Sequence, residues 1–139
     1  MRAIMIGTAS LFVLVGCGVS AEDALATSCN TVMSDPDVQR DILEANLSVE
    51  DYCGCASQQI FALPETERDN TILALETMET LMAENNGSTE AAFRALSEAG
   101  RADDDSAEAV AAYESVDELG EQLEDILDAM REAGGTCPG

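Results

Sequence analysis

Four cysteines restrict how this 139-residue chain can pack, and they are Cys29, Cys53, Cys55 and Cys137. A fifth, Cys17, stands apart from them at the end of an apolar N-terminal run. That run, residues 3–15, is typical of a secretory signal and is too short to span a bilayer as a stable helix. Exported chains meet an oxidising compartment, where an even set of cysteines indicates a disulfide framework. We therefore expect two disulfides among the four.

The C-x-C motif narrows the choice among the three pairings that four cysteines allow. Ser48, with an acidic residue three positions later, has the pattern of a capping box, which places Cys53 and Cys55 near the start of a helix. Two residues apart on a helix correspond to about 200° of rotation, so the two thiols point to nearly opposite sides. One should bond to Cys29 and the other to Cys137, and both assignments remain open. Each bridge should stabilise the domain by about 3–5 kcal/mol.

The apolar run ends in Leu14-Val15-Gly16-Cys17, which resembles the lipobox of bacterial lipoprotein precursors. In that class the chain is cut before the cysteine, whose thiol takes a diacylglycerol and whose amine is usually acylated. The resemblance implies three segments, which are a signal peptide at 1–16, the lipidated Cys17 with a lead segment at 17–28, and an acidic helical domain at 29–139. Gly18 stands where lipoproteins retained at the inner membrane commonly carry Asp. The resemblance therefore implies anchoring in the outer membrane, facing the periplasm.

An ordinary signal peptide is the alternative to the lipobox. Val19-Ser20-Ala21 is an A-x-A-like cleavage site, and Glu22 after it suits a mature start. Cleavage after Ala21 would discard Cys17 and release a soluble periplasmic or secreted protein. Both sites leave the same four cysteines, so the prediction of two disulfides holds for either.

Helix signals follow one another along the rest of the chain. A first helix is expected around residues 25–33, and further starts are indicated at Asp35-Pro36, Ser48, Pro64, before Ala92 and at Asp105. Expected stops are Asn86-Gly87, Gly100 and Gly134-Gly135. Leu and Met recur at helical spacing, and the last helix should bury a stripe from Val110 to Met130. Such stripes could form a partner groove, but they are more typical of a core. The sequence predicts an all-α domain, a small helical bundle held by two disulfides.

The composition agrees with a helical core and excludes several partners. Hydrophobic residues make up 46% of the chain but aromatic residues only 4%, so the core must be built from aliphatic side chains and Met. The formal net charge is −22, which repels nucleic acid and anionic headgroups. Histidine and lysine are both absent. This removes the commonest general base, the commonest metal ligand and any Schiff-base or Ser-Lys chemistry.

Two other kinds of site are compatible with short motifs in the chain. Cys53 and Cys55 could form a redox dithiol, or join the other two cysteines in a four-thiolate metal site, although an oxidising compartment favours bridges. Asp103, Asp104 and Asp105 could bind calcium, but an EF-hand loop starting there would need Gly where Glu108 stands. A solvated helix start is the simpler interpretation of these acids.

The expected function is that of a membrane-anchored envelope lipoprotein without catalytic activity. No catalytic residue, cofactor or metal ligand is predicted, and no small-molecule substrate is indicated. The expected partners are the membrane, through the lipid anchor, and an unidentified envelope protein. The alternative is a periplasmic thiol redox or metal-binding protein that uses the C-x-C pair.

Overall fold

A computed structural model describes residues 20–102 and 107–139 of the chain. These residues form six α-helices and no β-strand. The helices are α1 (Ala21–Met33), α2 (Pro36–Glu44), α3 (Val49–Ala62), α4 (Glu65–Glu84), α5 (Thr89–Ala102) and α6 (Ala107–Glu132). The prediction of an all-α domain is confirmed. Among the described residues, no helix is long and apolar enough to cross a membrane.

The helices begin where short polar side chains accept hydrogen bonds from free amide groups. The Ser48 hydroxyl oxygen accepts from the Asp51 amide at 3.0 Å, and the hydroxyl donates to the Asp51 carboxylate at 2.6 Å. This confirms the predicted cap of α3. Asp35 caps α2 in the same way, accepting from the Asp37 amide at 2.9 Å, with Pro36 as the first helical residue.

Helices α4 and α6 end in turns with a left-handed backbone, as does α2 at Asn46, which has a φ angle of 59°. After α4, Asn86 and Gly87 have φ angles of 57° and 78°, and the Gly87 amide donates to the Met82 carbonyl at 2.7 Å. After α6, the Gly135 amide donates to the Met130 carbonyl at 2.8 Å. Both are six-residue closures of the Schellman type, which glycine favours because it has no Cβ to strain. The predicted stops at these two places are confirmed.

The core lies where α1, α3, α4 and α6 meet. The pair α1 and α3 packs most extensively, and α4 and α6 cover it. The fully buried side chains are mainly aliphatic residues and Met, as expected from the composition, and include Val32, Ile42, Ile60, Leu75, Met78, Met82, Leu119 and Met130. Such burial supplies most of the free energy that stabilises a helical domain.

The end of α5 differs from the prediction that it stops at Gly100. The helix continues through Gly100 to Ala102. A Cβ built on Gly100 would lie 3.8 Å from the Ala109 carbonyl oxygen and 3.9 Å from the Tyr113 Cβ. Gly100 therefore lies at the contact between α5 and α6, where an added Cβ would make ordinary van der Waals contact, and it does not end the helix.

The apolar stripe of the last helix is also shorter than predicted. The predicted stripe includes Val110, but this side chain is 38% exposed. The first buried residue of α6 is Val116. The expected start of this helix at Asp105 lies outside the described residues. At the other end of the domain, residues 21–28, assigned to the lead segment, are helical, and Leu25 among them is buried.

Candidate functional site

Two disulfides settle the pairing that the sequence left open. Cys29 bonds to Cys53 with a Cα–Cα distance of 5.6 Å, and Cys55 bonds to Cys137 with a Cα–Cα distance of 5.3 Å. The cysteines of the C-x-C motif therefore bond in opposite directions, one to α1 and the other to the C-terminal segment. In this pairing neither thiol is free to ligate a metal or to bond to its neighbour in the motif.

The other predicted site residues fall outside the described part of the chain. Cys17, the predicted lipidation site, precedes it, and Asp103 to Asp105 of the calcium hypothesis lie in the gap before α6. Within the described residues, no group of three or more Cys, Asp or Glu side chains gathers at metal-binding distance. Ser20, the first described residue, caps α1 by accepting from the Asp23 amide at 3.1 Å.

A cleft of about 720 Å³ opens between α2, α5 and α6. Its floor consists of buried apolar side chains, among them Met33 from the end of α1, Met78 of α4 and Leu123 of α6. Partly exposed Val38 of α2 and Phe93 of α5 form its walls. The volume lies within the 300–1,000 Å³ that is usual for ligand pockets in proteins. The cleft is therefore large enough to admit several apolar groups of a ligand or partner.

The mouth of this cleft is strongly acidic. Six carboxylates surround it, and we call them the acidic rim, which consists of Asp41, Glu90, Asp117, Glu121, Glu124 and Asp128. Among the described residues that line the cleft, Arg131 is the one basic residue, and it pairs with Asp128 at 2.7 Å. Glu90 pairs with Arg94. The other four rim carboxylates are exposed and make no hydrogen bond or ion pair with a described residue.

Helix α6 contributes two parallel rows to the cleft. The first, which we call the apolar row, consists of Val116, Gly120, Leu123 and Leu127. The second, the acidic row, belongs to the rim and consists of Asp117, Glu121, Glu124 and Asp128. Both rows have spacings of four, three and four residues. Such spacing keeps a row on one face of an α-helix.

Gly120 interrupts the apolar row in the middle of a 26-residue helix. A Cβ built on it would meet no described atom within 4 Å. Glycine in a helix interior costs about 1 kcal/mol relative to alanine. Gly120 has no neighbour in the described structure that would account for this cost. It leaves bare backbone facing the cleft.

Asp35 holds together two of the helices that border the cleft. Besides capping α2, its carboxylate accepts from both the backbone amide and the hydroxyl of Thr89, at the start of α5, each at 2.7 Å. Burial of the carboxyl opposes ionisation, but the hydrogen bonds from Thr89, Asp37 and Val38 outweigh it and lower the pKa of Asp35. One ionised side chain therefore caps α2 and also accepts from the first amide of α5, whose own N-cap is Ser88.

Tyr52 fixes α6 to α3 beneath the cleft. The buried phenol donates to the Leu123 carbonyl at 2.7 Å, which links α3 to the middle of α6. Burial raises the pKa of Tyr52 well above its ordinary value. The hydroxyl is thus held as a neutral donor, and its role is to position the apolar row of α6.

Sequence reasoning identified the disulfide residues but missed the cleft. The Leu and Met stripes were assigned to the core, and for Met78 and Leu123 that is correct, since both are buried. Two signals could have indicated a binding face. They are a glycine inside a long helix at Gly120, and an acidic row that runs beside an apolar row with the same spacing.

Comparison with known proteins returns no family model, no curated protein and no solved structure that matches the chain. Its function is therefore inferred from the residues of the chain and their geometry.

Proposed function

We propose that the protein is a membrane-anchored envelope lipoprotein without catalytic activity, which binds a partner protein through the cleft. The observation that carries the proposal is the cleft itself, which combines an apolar floor with an exposed charged mouth. Concave apolar sites with a few polar groups at their edges are where proteins usually bind ligands and partner segments. Two disulfides and the Asp35 and Tyr52 hydrogen bonds hold the surrounding helices in place.

The start of α1 supports cleavage before Cys17 rather than after Ala21. Ser20 caps α1, and Ala21 is its first residue, so cleavage after Ala21 would remove both. Loss of an N-cap costs about 1 kcal/mol. It would also place a positive amine at the positive end of the helix dipole, which is unfavourable. Cleavage at the lipobox keeps the cap and leaves Cys17 as the lipid attachment point.

The position of the cleft suits a partner in the periplasm. Ser20 is the third residue after Cys17, so an anchor at Cys17 would hold the start of α1 within about 10 Å of the lipid attachment. Met33, in the floor of the cleft, is twelve residues further along α1, which corresponds to about 18 Å of helix. The cleft therefore lies at the far end of α1 from the proposed anchor. We place the anchor in the outer membrane, facing the periplasm, on the basis of Gly18.

In-cell cross-linking tests this proposal. A photoreactive amino acid would replace Glu121, an exposed carboxylate in the rim, in the full chain expressed with its own N-terminus. The matched control would carry the same amino acid in place of Glu76, an exposed carboxylate of α4 that does not line the cleft. We expect a discrete protein adduct from position 121 alone, and we expect it to sediment with the membranes.

Several results of that experiment would overturn the proposal. They are equal adducts from both positions, no adduct from position 121, or recovery of the chain only in the soluble fraction. A specific small-molecule turnover by the purified protein would also exclude the non-enzymatic part of the proposal.

A further inference from the structure

We infer that the partner segment is a basic amphipathic α-helix that lies along α6, with its apolar face in the cleft and its Lys and Arg side chains against the acidic rim. The inference rests on the proposed function, because it names the chemistry of the segment that the cleft would bind. It depends on three features of the cleft, which are the spacing of the two rows on α6, the bare backbone at Gly120 and the sign of the charge at the mouth.

The spacing of the two rows on α6 indicates a helical partner. The apolar row, from Val116 to Leu127, repeats at four, three and four residues, which is the spacing of the seam in a coiled coil. It extends over eleven residues, or about 17 Å and three helical turns. A second helix presents apolar anchors at this spacing, whereas an extended peptide repeats every two residues. The row therefore matches a helix of three or more turns.

Gly120 supplies the space that such a helix needs. It occupies a position in the apolar row where a coiled-coil seam would carry a large side chain, and nothing described lies within 4 Å of its missing Cβ. Glycine is the residue that permits close approach of another backbone. The gap between Val116 and Leu123 can therefore receive one large apolar side chain of the partner. This accounts for a glycine whose cost to α6 nothing in the described structure offsets.

The charge at the mouth selects a basic partner. Four of the six rim carboxylates form no ion pair with a residue that the structure describes, and three of these four lie on α6 beside the apolar row, as Asp117, Glu121 and Glu124. In a coiled-coil seam, charged residues that flank the apolar positions set the choice of partner. Like charges across such an interface are strongly disfavoured, and opposite charges speed association. Anionic lipids and fatty acids have the wrong charge for this rim.

Binding of a synthetic peptide to the full chain tests the inference. The probe is a fluorescent 18-residue peptide with Leu at coiled-coil spacing and Lys at the other positions. One control peptide has Glu in place of Lys, and a second keeps the composition but scrambles the order so that no apolar face forms. The protein is isolated from the cell envelope, held in phosphatidylcholine nanodiscs and compared with empty nanodiscs by fluorescence anisotropy. We expect binding of the Lys peptide alone, weakening as salt is raised from 50 to 500 mM.

Two glycine variants connect that binding to the cleft. Gly120→Leu should raise the Kd at least about tenfold, because its side chain occupies the gap that would otherwise receive the partner's apolar side chain. Gly54→Ala is the control, since Gly54 is also a helical glycine with open space around it but lies outside the cleft. It should leave the Kd unchanged. A thermal melt of each variant establishes that neither change unfolds the domain.

The outcomes separate this inference from the proposed function. No binding of the Lys peptide, equal binding of the Glu peptide, or an unchanged Kd in Gly120→Leu would overturn the inference. So would a fluorescent fatty acid that occupies the cleft in place of the peptide. If the Lys peptide does not bind while the photoreactive residue at position 121 still captures an envelope protein, only the inference of a basic helical partner is refuted. If position 121 captures no protein in cells, the proposed function is refuted, whether or not the peptide binds.

Discussion

Replacing Asp35 with alanine should loosen the two helices that border the cleft. Its carboxylate accepts three hydrogen bonds at 2.7–2.9 Å, from the Asp37 amide and from both the amide and the hydroxyl of Thr89. Loss of one N-cap costs about 1 kcal/mol, and a hydrogen bond to a charged group contributes about 1.5–3 kcal/mol. Since Asp35 caps α2 and also accepts from the amide and hydroxyl of Thr89 in α5, we expect Asp35→Ala to lower the free energy of unfolding by about 3 kcal/mol.

Urea and thermal unfolding with the disulfides intact would measure this effect. In a domain of this size, 1 kcal/mol corresponds to about 4 °C, so the Tm should fall by about 12 °C. Thr89→Val removes only the hydroxyl, which donates to the ionised Asp35 carboxylate, and should cost about 1.5–3 kcal/mol. The double variant should lose less than the sum of the two, because both changes remove the same hydrogen bond. A loss below about 1 kcal/mol in Asp35→Ala would refute the assignment of Asp35 as a stabilising link between α2 and α5.

The same site should show a defined dependence on pH. Because the folded-state pKa of Asp35 is lowered, its contribution is fully present above the unfolded value of about 3.9. It is lost as the pH falls through the lower folded value. The stability difference between the native chain and Asp35→Asn should therefore stay constant between pH 7 and 5 and shrink below about pH 4. A difference that grows on acidification would contradict the sign of this shift.

Three further predictions concern the core, the bridges and the surface charge. Tyr52→Phe removes a buried hydrogen bond to a carbonyl of α6 and should cost about 1 kcal/mol in urea unfolding. The Cys55–Cys137 bridge closes a loop with a sequence separation of 82, and loop-closure entropy predicts that its removal lowers the free energy of unfolding by about 4.5 kcal/mol. For Cys29–Cys53, with a sequence separation of 24, the predicted loss is about 3.4 kcal/mol. The reverse order in matched Cys→Ala pairs would contradict this. Adding 0.5 M NaCl should raise the Tm, because it screens repulsion within a chain of net charge −22, and a fall would count against that account.

Features of the fold that depend on residues close together in the sequence could be predicted from the sequence alone. The start of α3 follows from Ser48 and Asp51, because a cap needs only a side chain and amides within one turn. The end of α4 follows from Asn86-Gly87, because the left-handed backbone is a property of those residues. That Cys53 and Cys55 do not bond to each other follows from helical rotation alone.

Features that depend on contacts between distant segments could not be predicted. Which cysteine of the motif bonds to Cys29 is set by the face of α3 that packs on α1, and either rotation was compatible with the sequence. Gly100 has the appearance of a helix stop, but α5 continues past it to Ala102 and meets α6 there. Predicting the cleft would require knowing how α2, α5 and α6 are arranged around a shared floor. No local pattern encodes that arrangement.

The central claim, that a disulfide-closed domain is anchored to the membrane through Cys17, is tested most directly by intact mass spectrometry. The chain would be expressed with its own N-terminus in a Gram-negative host, isolated from the envelope and alkylated with and without prior reduction. The account predicts a mass that starts at an acylated Cys17, with four cysteines alkylated only after reduction. A mass that starts at Glu22 would contradict the anchor, and free thiols before reduction would contradict the closed bridges.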